Sequence, residues 1–349
     1  MDSLPRSAPI PDKSGTRIPT EDPDEVTGDP ARTPRTCNCN PKGRNLVVCI
    51  DGTSNQFSKK NTNVVELYSR LVKGSETQIT FYNSGIGTYA KPSWRSWSYY
   101  KQVVGHKIDL AIAWRFERIL LSAYLWLSEN YKIGDRIFLF GFSRGAYQVR
   151  ALSAMIDAVG LIHKGNQDQI PFAYQLYAET KAVDQEMKRR FKTTFSWDDV
   201  NVHFVGVWDT VSSVGIVRDK SLPGTADGMK HTCYFRHALA LHERRVKFLP
   251  EYVRGGIGPA IDPANDSKIP HTKEVWFAGS HSDIALDRFG PSLRWMSFEA
   301  TQLGLQLKAT PYKWNDSQIS ESLAGFWKVL ECLPLRRLSF NGAEHTTSR

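Results

Sequence analysis

At 349 residues the chain can form one large domain or two small ones, and with 41% apolar, 11% aromatic and 23% charged residues it has the composition of a folded globular protein rather than a fibrous or wholly disordered one. Its net charge of +9 lies entirely beyond residue 44, because seven acidic and seven basic side chains cancel before that point, and no basic run marks a nucleic-acid-binding tail. The most apolar stretch, 108–127, is interrupted by Asp109, Arg115, Glu117 and Arg118, which excludes it as a membrane-spanning helix.

Residues 1–44 hold eight of the eighteen prolines and no apolar periodicity, so a disordered arm is expected there. No basic segment followed by an apolar one opens the chain, so no secretory signal is read and a cytoplasmic location is expected. Five cysteines is an odd number for a disulfide framework. Cys37 and Cys39 form a C-x-C pair with no second pair at metal spacing, so free thiols are expected rather than a metal centre. The basic body suits peripheral contact with an anionic membrane surface, and nucleic acid is not expected as a partner.

Folded structure begins at Asn45, and a single domain is expected over 45–340, followed by a polar tail over 341–349. Strands are expected at LVVCI after Asn45, then at 78–82, 136–140, 202–208 and 274–278, each ending in a loop of Gly, Ser, Asp or Asn. Helical periodicity occupies 63–73, 108–131, 146–159 and a charged stretch over 174–191. Alternation of strand and helix predicts an α/β fold of the hydrolase type, a mostly parallel sheet covered by helices on both faces. Such sheets place their chemistry beyond the carboxyl ends of the strands.

At one of those ends stands Gly141-Phe142-Ser143-Arg144-Gly145, between the strand IFLF and a helix of small residues. This G-x-S-x-G spacing suits a nucleophile elbow, a tight turn that exposes the serine hydroxyl at a helix start. An elbow serine needs a histidine to take its proton and a carboxylate to orient that histidine, in the chain order serine, acid, histidine. Asp209 at the end of VHFVGVW and His281 at the end of VWFAGSHSD occupy the next two usable strand ends. Asp283 is the rival acid, too close along the chain to His281 to reach round to its far ring nitrogen. His203 reads as a sheet residue, and His237 and His242 read as packing or surface positions in the helical pattern ALALHERR.

The backbone N–H of Arg144, with a second N–H from Gly52 or Thr53 in the loop DGTSN, is the expected oxyanion hole, with Asp51 bracing that loop. A dehalogenase-type reading of CIDGT fails because it lacks a second aspartate. Gly85-Ile86-Gly87-Thr88-Tyr89-Ala90 matches a dinucleotide fingerprint formally, but Pro92 interrupts the helix such a site needs. The segment 91–101, with Trp94, Trp97, Tyr99 and Tyr100 among basic residues, suits a lid or a packed loop.

Together CIDGTSN, YNSGIGT, GFSRGAYQVRAL, GVWDTVSSVG and VWFAGSHSD resemble the α/β-hydrolase domain of type VI secretion phospholipase effectors and its uncharacterised fungal relatives. The resemblance spans roughly residues 44–305. It implies a serine hydrolase with Ser143, Asp209 and His281 as triad, a lipid or other carboxylic ester as substrate, and no metal or organic cofactor. One departure stands out. The glycine-rich continuation of the family's histidine motif is replaced by Ile284-Ala285-Leu286-Asp287, so the alternative expectation is a weakened or inactive binding module with the same fold.

Overall fold

The computed structural model describes residues 39–52, 61–85, 103–179, 184–197, 199–211, 222–225, 229, 231–245, 250–253, 271–286, 289–309, 313–315, 335–338 and 344–347. The segment 91–101 and most of the GIGTYA motif lie outside these residues, as does most of the expected arm. Elements follow in the order β1 (Asn45–Ile50), α1 (Asn63–Arg70), β2 (Gln78–Asn83), α2 (Val103–Asn130), β3 (Arg136–Phe142), α3 (Arg144–Val159) and β4 (Leu161–Ile162). Next come α4 (Ile170–Ala178), α5 (Asp184–Phe195), β5 (Ser196–Trp197), β6 (Val202–Trp208), β7 (Thr232–Ala240), β8 (His271–Phe277), α6 (Asp283–Leu286), α7 (Pro291–Gln302), β9 (Leu335–Leu338) and β10 (Glu344–Thr347).

The main sheet has six strands in the order β2-β1-β3-β6-β7-β8, and every adjacent pair is parallel. Strands β1, β3 and β6 are buried along their whole length. That is why they read as unbroken apolar runs rather than as alternating ones: both faces of a parallel sheet are covered. One face carries Leu46, Val48, Leu139 and Val205 against α2 and α3, and α4 packs on those two helices in turn. The other carries Val47, Phe138, Phe204 and Trp208 against α1 and α7, through Leu67, Leu293 and Met296. Each fully buried large apolar side chain contributes about 1.5–3 kcal/mol relative to exposure.

Four features differ from the sequence expectation. ALALHERR opens as strand, not helix: Ala238–Ala240 close β7, and His242 sits in the turn directly after it. The apolar period there is ambiguous because Arg236 and His237 are buried in the strand against acids that lie far away in sequence, Glu299 and Glu274. The charged stretch 174–191 divides between α4 and α5. Residues 39–44, at the end of the expected arm, are tied to the body by a 2.7 Å ion pair from Arg44 to Asp135. Residues 344–347, inside the expected polar tail, pair antiparallel with β9.

Candidate active site

The elbow is built from three close approaches. Ser143 adopts φ 56° and ψ −120°, a backbone conformation few non-glycine residues accept. A Cβ on Gly141 would stand 2.5 Å from the Gly145 carbonyl oxygen, and one on Gly145 would stand 2.4 Å from the carbonyl oxygens of both Ile50 and Asp51. The two glycines therefore let α3 start hard against the ends of β1 and β3. Ser143 is held by donating its N–H to Trp208 O at 3.0 Å and accepting from Val211 N at 3.2 Å.

The three residues expected to act together converge at the carboxyl end of the sheet. Ser143 Oγ lies 3.0 Å from His281 Nε2, and His281 Nδ1 lies 2.5 Å from Asp209 Oδ2. A carboxylate can only accept, so Nδ1 carries the hydrogen and Nε2 presents its lone pair to the serine hydroxyl. Asp209 is fully buried, His281 is 5% exposed and Ser143 is 8% exposed. Phe142 lies against the imidazole, ring centroids 4.8 Å apart. Asp283 directs its Oδ2 at Ser280 N, from which it accepts at 2.8 Å, while the acid on His281 Nδ1 is Asp209.

With this geometry in place, the likeness to known proteins can be specified. A family model described as T6SS, Phospholipase effector Tle1-like, catalytic domain matches residues 44–306. The chain belongs to this family. An uncharacterized protein of Saccharomyces cerevisiae is 37% identical to the Tle1-like chain over 225 residues, a match covering 59% of this chain and 32% of the yeast protein. A crystal structure of an uncharacterized protein from Pseudomonas aeruginosa matches with a TM-score of 0.40 and 16% identity, over 78% of this chain and 48% of that one. The Tle1-like chain thus spans about a third of the yeast relative and about half of the bacterial one.

Around these three residues the Tle1-like chain places supports that its motifs do not announce. Asp209, at φ 41°, spends Oδ1 on Ala240 N at 3.1 Å. Next to it, Thr210 N donates to His237 Nε2 at 3.1 Å, and His237 Nδ1 donates to Glu274 Oε1 at 2.9 Å. Burial pushes His237 below its ordinary value despite that carboxylate. Arg150, fully buried, donates to the carbonyls of Thr225 and, at 2.7 Å, Glu251, whose own N–H holds Thr210 O. The histidine loop is fixed from below: His281 N donates to Glu243 Oε2 at 3.0 Å, and Gly279 N donates to His242 Nδ1 at 2.9 Å. Burial opposes ionisation of Glu243, but the hydrogen bonds from Arg245 and the His281 amide hold its carboxyl below the usual range.

The loop after β1 departs from expectation at one residue. Gly52, expected as an oxyanion donor, directs its N–H at Asp51 Oδ1 at 2.6 Å. The reason is that Asp51 is locked: its Oδ2 accepts from Thr62 Oγ1 at 2.8 Å and from Tyr82 OH at 3.1 Å, so Oδ1 faces its own following amide. Thr53 lies outside the described residues. Burial, reinforced by the charge of Asp51, pushes the Cys49 thiol well up, which removes it as a nucleophile near neutral pH. Arg144, half-buried beside the serine, is pushed down by burial to about 10 and so remains cationic. Among the described residues the group able to hold a metal is Cys39, His203 and Cys233, at the opposite end of the sheet from Ser143, Asp209 and His281. No helix of the described residues is long and apolar enough to cross a membrane.

Proposed function

We propose that this Tle1-like domain is a serine esterase that cleaves lipid carboxylic esters through an acyl-enzyme. The observation that carries the reading is the unbroken contact from Ser143 Oγ through the His281 ring to Asp209 Oδ2 at 3.0 and 2.5 Å. In this mechanism Ser143 Oγ attacks the ester carbonyl carbon while its proton passes to His281 Nε2. The protonated imidazole, oriented by Asp209, then gives that proton to the departing alkoxide, leaving an acyl group on Ser143. Water repeats the sequence with His281 as base and releases the fatty acid. The Arg144 N–H, together with a second donor proposed at Thr53, holds the oxyanion.

Family membership supports a phospholipid as the ester, and the Arg144 guanidinium supports an anionic one. It stands next to the nucleophile with no carboxylate paired to it among the described residues, a place where a headgroup phosphate gains from the charge. The altered sequence after His281 is compatible with the enzyme reading, since α6 starts at Asp283 and the imidazole keeps its 2.5 Å contact with Asp209. That favours the enzyme over an inert binding module.

The test is covalent labelling with a fluorophosphonate probe, which needs an activated serine and no knowledge of substrate. Wild type labels, while Ser143→Ala and His281→Ala do not. An esterase screen follows, in which Arg144→Gln loses more activity on anionic phospholipid than on a neutral ester. A well-folded wild type that stays unlabelled sinks the enzyme reading.

A further inference from the structure

Three side chains from distant parts of the sequence meet at the amino ends of β6 and β7. We propose that Cys39, His203 and Cys233 bind a thiophilic divalent cation, zinc in the first instance, which pins the chain ahead of β1 to the floor of the sheet. The two Sγ atoms lie 3.6 Å apart, and the ligand atoms of all three residues lie within 4.8 Å of one another. Two thiolates each about 2.3 Å from a tetrahedral zinc must stand about 3.8 Å from each other. A disulfide would require about 2.05 Å.

The backbone sets up this meeting. His203 and Cys233 are each the second residue of their strand, lying between the paired positions Val202↔Thr232 and Phe204↔Tyr234. Against β3 the register passes from Ile137↔Val202 to Phe138↔Phe204, so His203 is the extra residue of a bulge, a device that re-aims a side chain. The re-aimed ring rests on Phe138 and Tyr234, at centroid distances of 5.1 and 5.4 Å, and is 3% exposed. Its Nε2 faces Leu303 O at 3.0 Å.

A carbonyl only accepts, so Nε2 holds the hydrogen and Nδ1 holds the lone pair. A metal-ligating imidazole is usually fixed in this way, by a donor bond from its other nitrogen to a carbonyl or carboxylate. Two sulfurs and one imidazole select zinc over magnesium or calcium, which take oxygen. Cys39 reaches the pair because the chain ahead of β1 crosses beneath β3 and β6 to β7. From His203 to Asp209 is six residues along β6, about 20 Å, so the ion has no part in the ester chemistry.

The experiment uses the full chain, purified without chelators and assayed for metal by mass spectrometry. The expected result is about one zinc per chain, removed by a strong chelator and regained on dialysis against zinc. In the loaded protein Cys39 and Cys233 resist alkylation, and metal removal speeds their reaction about tenfold or more. Cobalt in place of zinc gives a thiolate-to-metal charge-transfer band that Cys233→Ser weakens. The proposal is overturned by a wild type that neither carries nor takes up zinc and alkylates equally with and without chelator. A Cys39–Cys233 disulfide peptide overturns it as well. The wild-type readouts decide the matter even where a variant misfolds.

Discussion

The two carboxylate oxygens of Asp209 serve different partners: Oδ2 holds the imidazole and Oδ1 holds the Ala240 amide. An asparagine keeps the shape but puts an amide NH₂ where an acceptor is needed, either against His281 Nδ1–H or against the Ala240 N–H. The imidazole then settles in the other tautomer, with its hydrogen toward Ser143 and no lone pair to take the serine proton. Asp209→Asn is expected to lower kcat on the order of 10⁴-fold with KM nearly unchanged. Steady-state hydrolysis of a soluble ester checks this, and a loss below tenfold would show that the acid is not needed for turnover.

At the scale of elements the elbow is a joint with no room for a side chain at either glycine. The carbonyl oxygens that crowd Gly145 belong to the backbone of Ile50 and Asp51 and cannot rotate away. Gly145→Ala should therefore push α3 off β1, costing about 1–3 kcal/mol or more in overpacking and misplacing Ser143. A lowered denaturation midpoint together with lost probe labelling is the expected outcome; a midpoint unchanged from wild type would contradict the packing.

The elements also explain what could be read in advance. GFSRG, Asp209 and His281 were legible because each is local, a strand end followed by its own small or polar residues. Strand β7 was not, since Arg236 and His237 disguise a buried strand until Glu299 and Glu274 are seen beside them. Glu243, His237 and Arg150 were missed for the same reason: each acts across 27 to 101 residues of sequence. The turn of the Gly52 N–H toward Asp51 is not legible in the loop, because the lock on Asp51 comes from Thr62 and Tyr82, outside the loop itself. The spacing of Cys37 and Cys39 gave no hint of the meeting with Cys233, 194 residues beyond Cys39.

For the molecule as a whole, stability depends on keeping His237 neutral inside the sheet. Burial lowers its pKa from the ordinary 6.5, so between that value and the lower folded one the unfolded chain binds more protons than the folded chain. Stability in that window rises with pH and is lost on acidification, by at most about 1.4 kcal/mol per pH unit from this group. Glu274 adds a loss at lower pH. Burial opposes its ionisation, yet the hydrogen bonds from His237 and the Val253 amide hold its carboxyl below the ordinary 4.5, and the stability this gives goes as the pH falls through that lowered value. Urea midpoints at about pH 7.5 and 5.5 should differ for wild type and differ less for His237→Phe, which is weaker at both but has lost the titrating ring. An equal slope in the two proteins would assign the acid sensitivity elsewhere.

Among the described residues β8 is the outermost strand of its side of the sheet, paired only to β7, and His281 follows four residues after its end. Ser143 and Asp209 follow strands that have neighbours on both sides. Edge strands open more cheaply than interior ones, so thermal fraying is expected to reach His281, the proposed base, while Ser143 and Asp209 are still in register. Warming is therefore expected to silence the proposed serine chemistry before the fold melts, a loss of probe labelling that precedes the loss of secondary structure and recovers on cooling.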